Sequence, residues 1–235
     1  MKRFWDTASP VPDAEGFAIE LDGRPMRLPG GTPLRIISPR LAQAIAAEWQ
    51  AAGEAKGGEM SYADTPLTRL AGTAQDRIAP DPAPVIDAIA RYGQSDLLCY
   101  RADTPPALVQ RQAEHWQPWL DWAALHHDAH LKVTSGVMYV RQDPQAVAAL
   151  RAAVARNDAP VLAALGVAVP ALGSVVLGLA LADGRLTAEE AHRIAALDEL
   201  FQAEFWGEDA DAAARRAQVA ADIAVAARFM ELARA

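Results

Sequence analysis

The stretch GFAIELDGRPMRL, residues 16–28, decides the fold class. Residues 16–21 alternate as a half-buried strand does. Asp22-Gly23 is a strong hairpin-turn dipeptide, and residues 25–28 (PMRL) make the return strand. Pro29-Gly30-Gly31 is a second turn, and residues 34–37 (LRII) are a third predicted strand. Ser38-Pro39 then opens a helix, with serine as N-cap and proline at the first helical position. Leu41, Ile45 and Trp49 recur every four residues, with Ala42 and Ala46 beside them, which is one buried stripe. The start of the chain is therefore β followed by helix.

Further on, helical signals take over. Thr65-Pro66 enters extended, and Thr68, Arg69, Thr73, Asp76 and Arg77 are expected to form a structural polar network. Residues 79–84 (APDPAP) hold three prolines in six positions, which sets the expected domain boundary: residues 1–80 α+β, residues 81–235 multihelical. Val85, Ile86, Ile89 and Leu97 predict one helix, broken near Gly93. Pro105-Pro106 opens another, which Pro118 should kink or restart. Residues 131–140 read equally as a strand pair or a loop. Asp143-Pro144 starts a helix to about Arg156. Residues 161–165 read as a short helix and residues 170–182 as an apolar central helix stopped at Asp183-Gly184. Thr187-x-x-Glu190 is a capping box that starts a helix through Ile194, Leu197, Phe201 and Phe205, and a last helix uses Val219, Ile223, Ala226 and Met230 as its inner face. The predicted class is α+β: a small hairpin-and-helix domain, then an all-α bundle of about six helices.

Composition excludes several functions. Hydrophobic residues make up 51% and charged residues 22%, values of a globular chain. The net charge of −8 argues against nucleic acid, whose phosphates need a basic face. Residues 183–211 carry nine acids against two arginines, a local charge of −7 and nearly the whole excess. Such a face can steer a basic partner. Cys99 is the sole cysteine, so no intrachain disulfide and no CxxC motif exists, which fits a reducing compartment. The N-terminus has no long apolar core behind its basic residues and does not read as a signal peptide. Residues 159–182 lack any charge, but Pro170, three glycines and the absence of flanking Lys or Arg clusters make this a buried helix and not a stable membrane insertion.

Candidate chemistry is thin. His126, His127 and His130 lie within five residues, and His126 and His130 share a helical face, a spacing a metal can use. No HExxH motif or distant third ligand accompanies them, and histidines near a helix end also suit its dipole. A metal-dependent hydrolase on this cluster is the competing reading; no metal or other cofactor is expected. Phosphate-loop, dinucleotide and GxSxG motifs are absent, and Ser174 is expected to pack or to bond back to its helix. Six tryptophans are many for this length; Trp116, Trp119 and Trp122 cannot all face one way.

The strongest candidate for binding is residues 197–211, LDELFQAEFWGEDAD. Phe201 and Phe205 continue the stripe of Ile194 and Leu197 and are expected in the core. Gly207 should end the helix. Trp206, Glu208 and Asp209 lie at or past that end and, with Glu204, form the predicted docking edge for another protein.

Several segments taken together carry a resemblance: GFAIELDGRPMRLPGGTPL (16–34), LAQAIAAEWQAAGE (41–54), TPLTRLAGTAQDRI (65–78), SDLLCYRADTP (95–105), RQAEHWQPWLDWA (111–123), GSVVLGLAL (173–181) and LDELFQAEFWGEDADA (197–212). In order and spacing, over about residues 3–230, the chain resembles the Atp-twelve family, assembly chaperones of the F₁ part of ATP synthase. Gly72 stands where a residue such as asparagine would be expected, and residues 61–63 are not the usual lead-in. The resemblance implies a non-enzymatic protein with a small α+β N-terminal domain and a helical C-terminal domain. It implies binding to the unassembled F₁ α subunit, shielding of its aggregation-prone surface and release as the β subunit replaces it. A monomer in the bacterial cytoplasm is the expected form.

Overall fold

In the computed structural model, which describes residues 1–136 and 138–234, the decisive hairpin forms where the sequence places it. β1 (Ala8–Asp13) pairs antiparallel with β2 (Gly16–Leu21) in register Ala8↔Leu21 to Asp13↔Gly16. Asp22 and Gly23 both take positive φ, 49° and 75°, and turn the chain into β3 (Arg24–Pro25), which pairs back on β2. β4 (Arg35–Ile36) also pairs with β2, through Phe17↔Ile36. The predicted return strand over residues 25–28 shortens to β3, and an isolated bridge, Arg27 to Pro33, continues it. β1 escapes a sequence reading because Pro10 and Pro12 weaken its strand signal; at a sheet edge prolines are tolerated.

α1 (Pro39–Ala51) lies on β1 and β2. Ser38 caps it by accepting from the Leu41 N–H, and Leu41, Ala42, Ile45, Ala46 and Trp49 are its buried face. α2 (Pro66–Thr73) follows and runs on as a π-helical turn, residues 74–78. The expected polar network is only partly present. Thr68 Oγ1 accepts from Trp49 Nε1 at 2.8 Å, and Glu48 accepts from the Leu67 and Thr68 backbone at 2.6 and 3.1 Å. Burial is the main influence on the Glu48 carboxyl and raises its pKa.

The chain divides into two compact units. The first comprises Met1–Pro82, Asp158–Ala164 and Arg228–Ala235; the second comprises Ala83–Asn157 and Leu165–Ala227. The second unit is helical. α3 (Ala83–Ala90) ends in a 3-10 turn over residues 91–94, so the predicted helix from Val85 stops before Leu97, which sits in a separate 3-10 turn. β5 (Tyr100–Arg101) precedes α4 (Pro106–His127). Pro118 neither ends nor restarts α4: the buried positions Trp116, Leu120 and Ala123 on both sides of it hold the helix together. β6 (Thr134–Ser135) pairs parallel with β5, which gives one short strand inside the ambiguous stretch 131–140; Val137 of that stretch lies outside the described residues. α5 (Pro144–Ala155) is capped by Asp143.

The apolar run folds differently from expectation. α6 (Ala159–Leu172) passes through Pro170, and the break falls at Gly173-Ser174, before α7 (Val175–Ala182). Gly173 has φ 63°, and Ser174 Oγ accepts from the Leu177 N–H, so a cap and not the proline restarts the helix. Every residue of α7 is buried, and α4, α5 and α8 (Ala188–Ala195) pack on it. Among the described residues no helix is long and apolar enough to cross a membrane. α9 (Leu197–Trp206) and α10 (Ala210–Ala233) complete the chain. The capping box at Thr187 forms as read, but Ala196 separates α8 from α9, where one helix was expected. The architecture is α+β with a helical C-terminal region.

Candidate docking surface

α9 is tied down on one side and bare at its end. Phe201 is 2% exposed, and the Arg111 guanidinium of α4 lies 5.0 Å from its ring centroid. Arg111 also reaches Glu204 at 2.7 Å. Gln112, buried in α4, donates to Asp198 at 2.7 Å and accepts from the Ala102 N–H at 2.8 Å. Burial raises the pKa of Asp198 against the Gln112 bond and the Arg101 charge, which lower it. Trp116 Nε1 donates to the Ile194 carbonyl at 2.9 Å. α4 therefore holds α9 through Arg111 and Gln112, and the end of α8 before it through Trp116.

The aromatic side of the last turn of α9 is largely open to solvent. Trp206 is 76% exposed and Phe205 is 61% exposed. Phe205 was expected in the core, four residues after Phe201; the structure places it outside. The periodicity is right, since the two rings lie 4.7 Å apart, but the helix ends one residue later and the core does not extend over that turn. The nearby Gly207 was a signal: a helix-ending glycine two positions on leaves the final turn short of neighbours. The φ of 86° at Gly207 stops the helix and turns the chain towards α10.

The acids around this edge are mostly engaged within the protein. Glu208 meets Arg216 at 2.5 Å, and Glu199 lies 3.6 Å from the same guanidinium. Asp209 accepts from the Ala212 N–H at 2.8 Å, at the start of α10. Arg111 and Arg216 therefore neutralise part of the charge that the sequence alone assigns to this face, and neither was singled out by sequence. Phe205→Ala is expected to cost under about 1 kcal/mol, because an exposed ring gives up little burial. Urea unfolding checks this; a larger loss would mean that Phe205 is part of the core.

The histidines point to separate partners. His126 Nδ1 lies 3.0 Å from the Trp122 carbonyl, His127 Nδ1 accepts from Arg156 at 2.9 Å, and His130 Nε2 lies 3.2 Å from Asp128. Burial, then the Arg156 charge, lowers the His127 pKa. Among the described residues no three His, Cys, Asp or Glu side chains are placed to share a metal ion.

These features describe an α+β protein with an exposed aromatic edge on a well-anchored helix. Its sequence matches the ATP12 chaperone protein family over residues 2–124. Its structure resembles Atp12 from Paracoccus denitrificans, with 44% identity, TM-score 0.91, and 99% of this chain and 98% of that one covered. A point mutant of the same Paracoccus protein matches with the same values. A protein from Agrobacterium tumefaciens, described as a putative chaperone, matches at 40% identity and TM-score 0.90, covering 98% of this chain and 85% of that one. The chain belongs to the ATP12 chaperone family.

Proposed function

We propose that this chain is an assembly chaperone that binds the unassembled α subunit of the F₁ sector of ATP synthase, shields its aggregation-prone interface and hands it to the β subunit. Membership of the ATP12 chaperone family carries this reading. It is a binding and not a catalytic role: the acids of residues 197–211 serve helix ends and ion pairs instead of converging on a cleft.

Trp206 is the proposed anchor, with Phe205 beside it and Glu204, Glu208 and Asp209 forming the polar rim. An unpartnered subunit exposes apolar surface that would otherwise aggregate, and an aromatic pair on a fixed helix can cover such surface at low entropic cost. Glu204 and Glu208, both half-exposed and already paired to Arg111 and Arg216, can exchange those partners for basic groups of the incoming subunit, while Asp209 caps α10. A contact of this mixed character is moderate in strength, which lets the β subunit displace it.

The test is co-purification of the α subunit with wild type and with Phe205→Ala/Trp206→Ala, each shown folded by circular dichroism. Loss of a central aromatic anchor is expected to weaken binding by roughly 2 kcal/mol or more, about thirtyfold. Glu208→Lys is a weaker probe of the rim, since it sets a second cation against Arg216. Unchanged α-subunit recovery with the aromatic double variant would remove this edge from the interface. Failure of the wild type to recover any α subunit would overturn the function itself.

A further inference from the structure

We propose that a depression of about 590 Å³ in the second unit is a binding site for a small phosphorylated anion, held by Arg91 and Arg141. The inference does not rest on the α-subunit reading or on the aromatic edge. Three arginines line the depression, Arg91, Arg141 and Arg151, against one carboxylate, Asp87. In a chain of net charge −8 that is a local reversal of sign. Asp87 is already used: it accepts from Arg151 Nε at 2.7 Å. Arg91 and Arg141 are exposed, and neither makes an ion pair among the described residues. Two unneutralised guanidinium groups lining one depression repel each other and attract an anion.

The frame around them is fixed. Arg91 stands directly after α3 and Arg141 shortly before α5, and those two helices pack on each other. The Asp87–Arg151 bond joins α3 to α5. Gln142 is 4% exposed and holds the Lys132 backbone from both sides: its Oε1 accepts from the Lys132 N–H at 2.7 Å and its Nε2 donates to the Lys132 carbonyl at 2.9 Å. The segment carrying Tyr139 and Arg141 is thereby anchored next to the depression. Its volume lies in the range of small-ligand sites, and its arginine-rich wall suits a phosphate more than an apolar molecule. A planar guanidinium matches two phosphate oxygens at once, which makes phosphate the chemistry these residues recognise best. Tyr139, 65% exposed at the rim, offers a ring face to a base if the phosphates belong to a nucleotide.

The experiment is isothermal titration calorimetry of the full chain with tripolyphosphate and, separately, with adenosine triphosphate. Four proteins are compared: wild type, Arg91→Ala/Arg141→Ala, Tyr139→Ala, and a control of equal charge loss, Arg24→Ala/Arg77→Ala. The pocket arginines are exposed, so the double variant should fold, which circular dichroism checks. Wild type and control are expected to bind both probes alike. The pocket double variant should lose roughly tenfold or more in affinity, the effect of hydrogen bonds to charged groups. Tighter binding of the nucleotide, lost in Tyr139→Ala, would assign the phosphates to a nucleotide; equal binding would assign the site to the phosphate chain alone. Absence of binding to wild type, or equal weakening in the pocket and control variants, would overturn the proposal.

Discussion

Arg3→Ala is expected to destabilise the protein by about 3 kcal/mol or more, since it strips several buried carbonyls of their donor at once. Arg3 is only 4% exposed, and its guanidinium fans across five carbonyls. It donates to Trp5 at 3.0 Å, to Asp6 at 3.0 Å, to Gln50 at 2.8 Å, and to Ala52 and Glu54 at 3.3 Å each. Gln50 and Ala52 lie at the C-terminal end of α1, where carbonyls have no partner within the helix and where a positive charge suits the dipole. Trp5 completes the cap by donating from Nε1 to the Trp49 carbonyl at 3.1 Å. The backbone of Arg3 is bonded too, to Gly58 at 3.0 Å and from Gly57 at 2.8 Å. Arg3→Lys should recover only part of the loss, because an ammonium has three donors and cannot span a planar fan of acceptors. Urea unfolding followed by the fluorescence of Trp5 and Trp49, whose rings lie 5.0 Å apart, reads the effect. Equal midpoints for wild type and Arg3→Ala would show that these bonds add nothing net.

Arg3 also marks the limit of what its sequence context reveals. Local signals were legible: the Asp22-Gly23 turn, the serine cap at Ser38, the stripe of α1 and the Thr187–Glu190 box each depend on residues a few positions apart. Arg3 depends on carbonyls 47 to 51 residues away, and no local pattern marks a lone basic residue near the chain start as buried. The same reason hides β1, whose partner strand supplies the order that its prolines conceal. In the apolar run, Pro170 carries the strongest local breaking signal, yet packing keeps α6 intact and the Gly173-Ser174 cap decides the break. At the end of α9, periodicity located Phe205 on the face of Phe201 but could not say that the core ends between them. Likewise the acidic run was visible, whereas the neutralising Arg111 comes from 93 residues earlier.

Asp96 should make the protein more stable at pH 5 than at pH 8, by roughly 1–2 kcal/mol from this group alone. Its carboxylate is fully buried and joins two segments. One oxygen accepts from the Leu98 N–H at 3.1 Å, and the other accepts from Ser174 Oγ at 3.0 Å and from the Val176 N–H at 3.2 Å, at the start of the central helix α7. Leu97 adds a bond from its N–H to the Gly173 carbonyl at 3.0 Å. Among the described residues no cation bonds to this carboxylate, so burial dominates over the hydrogen bonds it accepts and pushes its pKa from 3.8 up to about 6. Its charge, after burial, helps push the neighbouring Cys99 thiol up to about 12. The folded pKa lies above the unfolded one. The stabilisation is therefore complete below the unfolded value and is lost as the pH rises through about 6. Glu48 and Asp198, whose pKa values burial also raises, give slopes of the same sign, so the comparison must be with a variant that retains them. Asp96→Asn should flatten the dependence between pH 5 and 8 relative to wild type while losing an acceptor for Val176. Asp96→Ala should be destabilised by about 3 kcal/mol at pH 5, with the Leu98 and Val176 N–H groups left unpaired and the Ser174 hydroxyl proton left without its acceptor. The gap should narrow at pH 8, where wild type bears the cost of its buried charge. Urea midpoints across this range read both effects, and parallel curves for wild type and Asp96→Asn would mean that Asp96 does not titrate there.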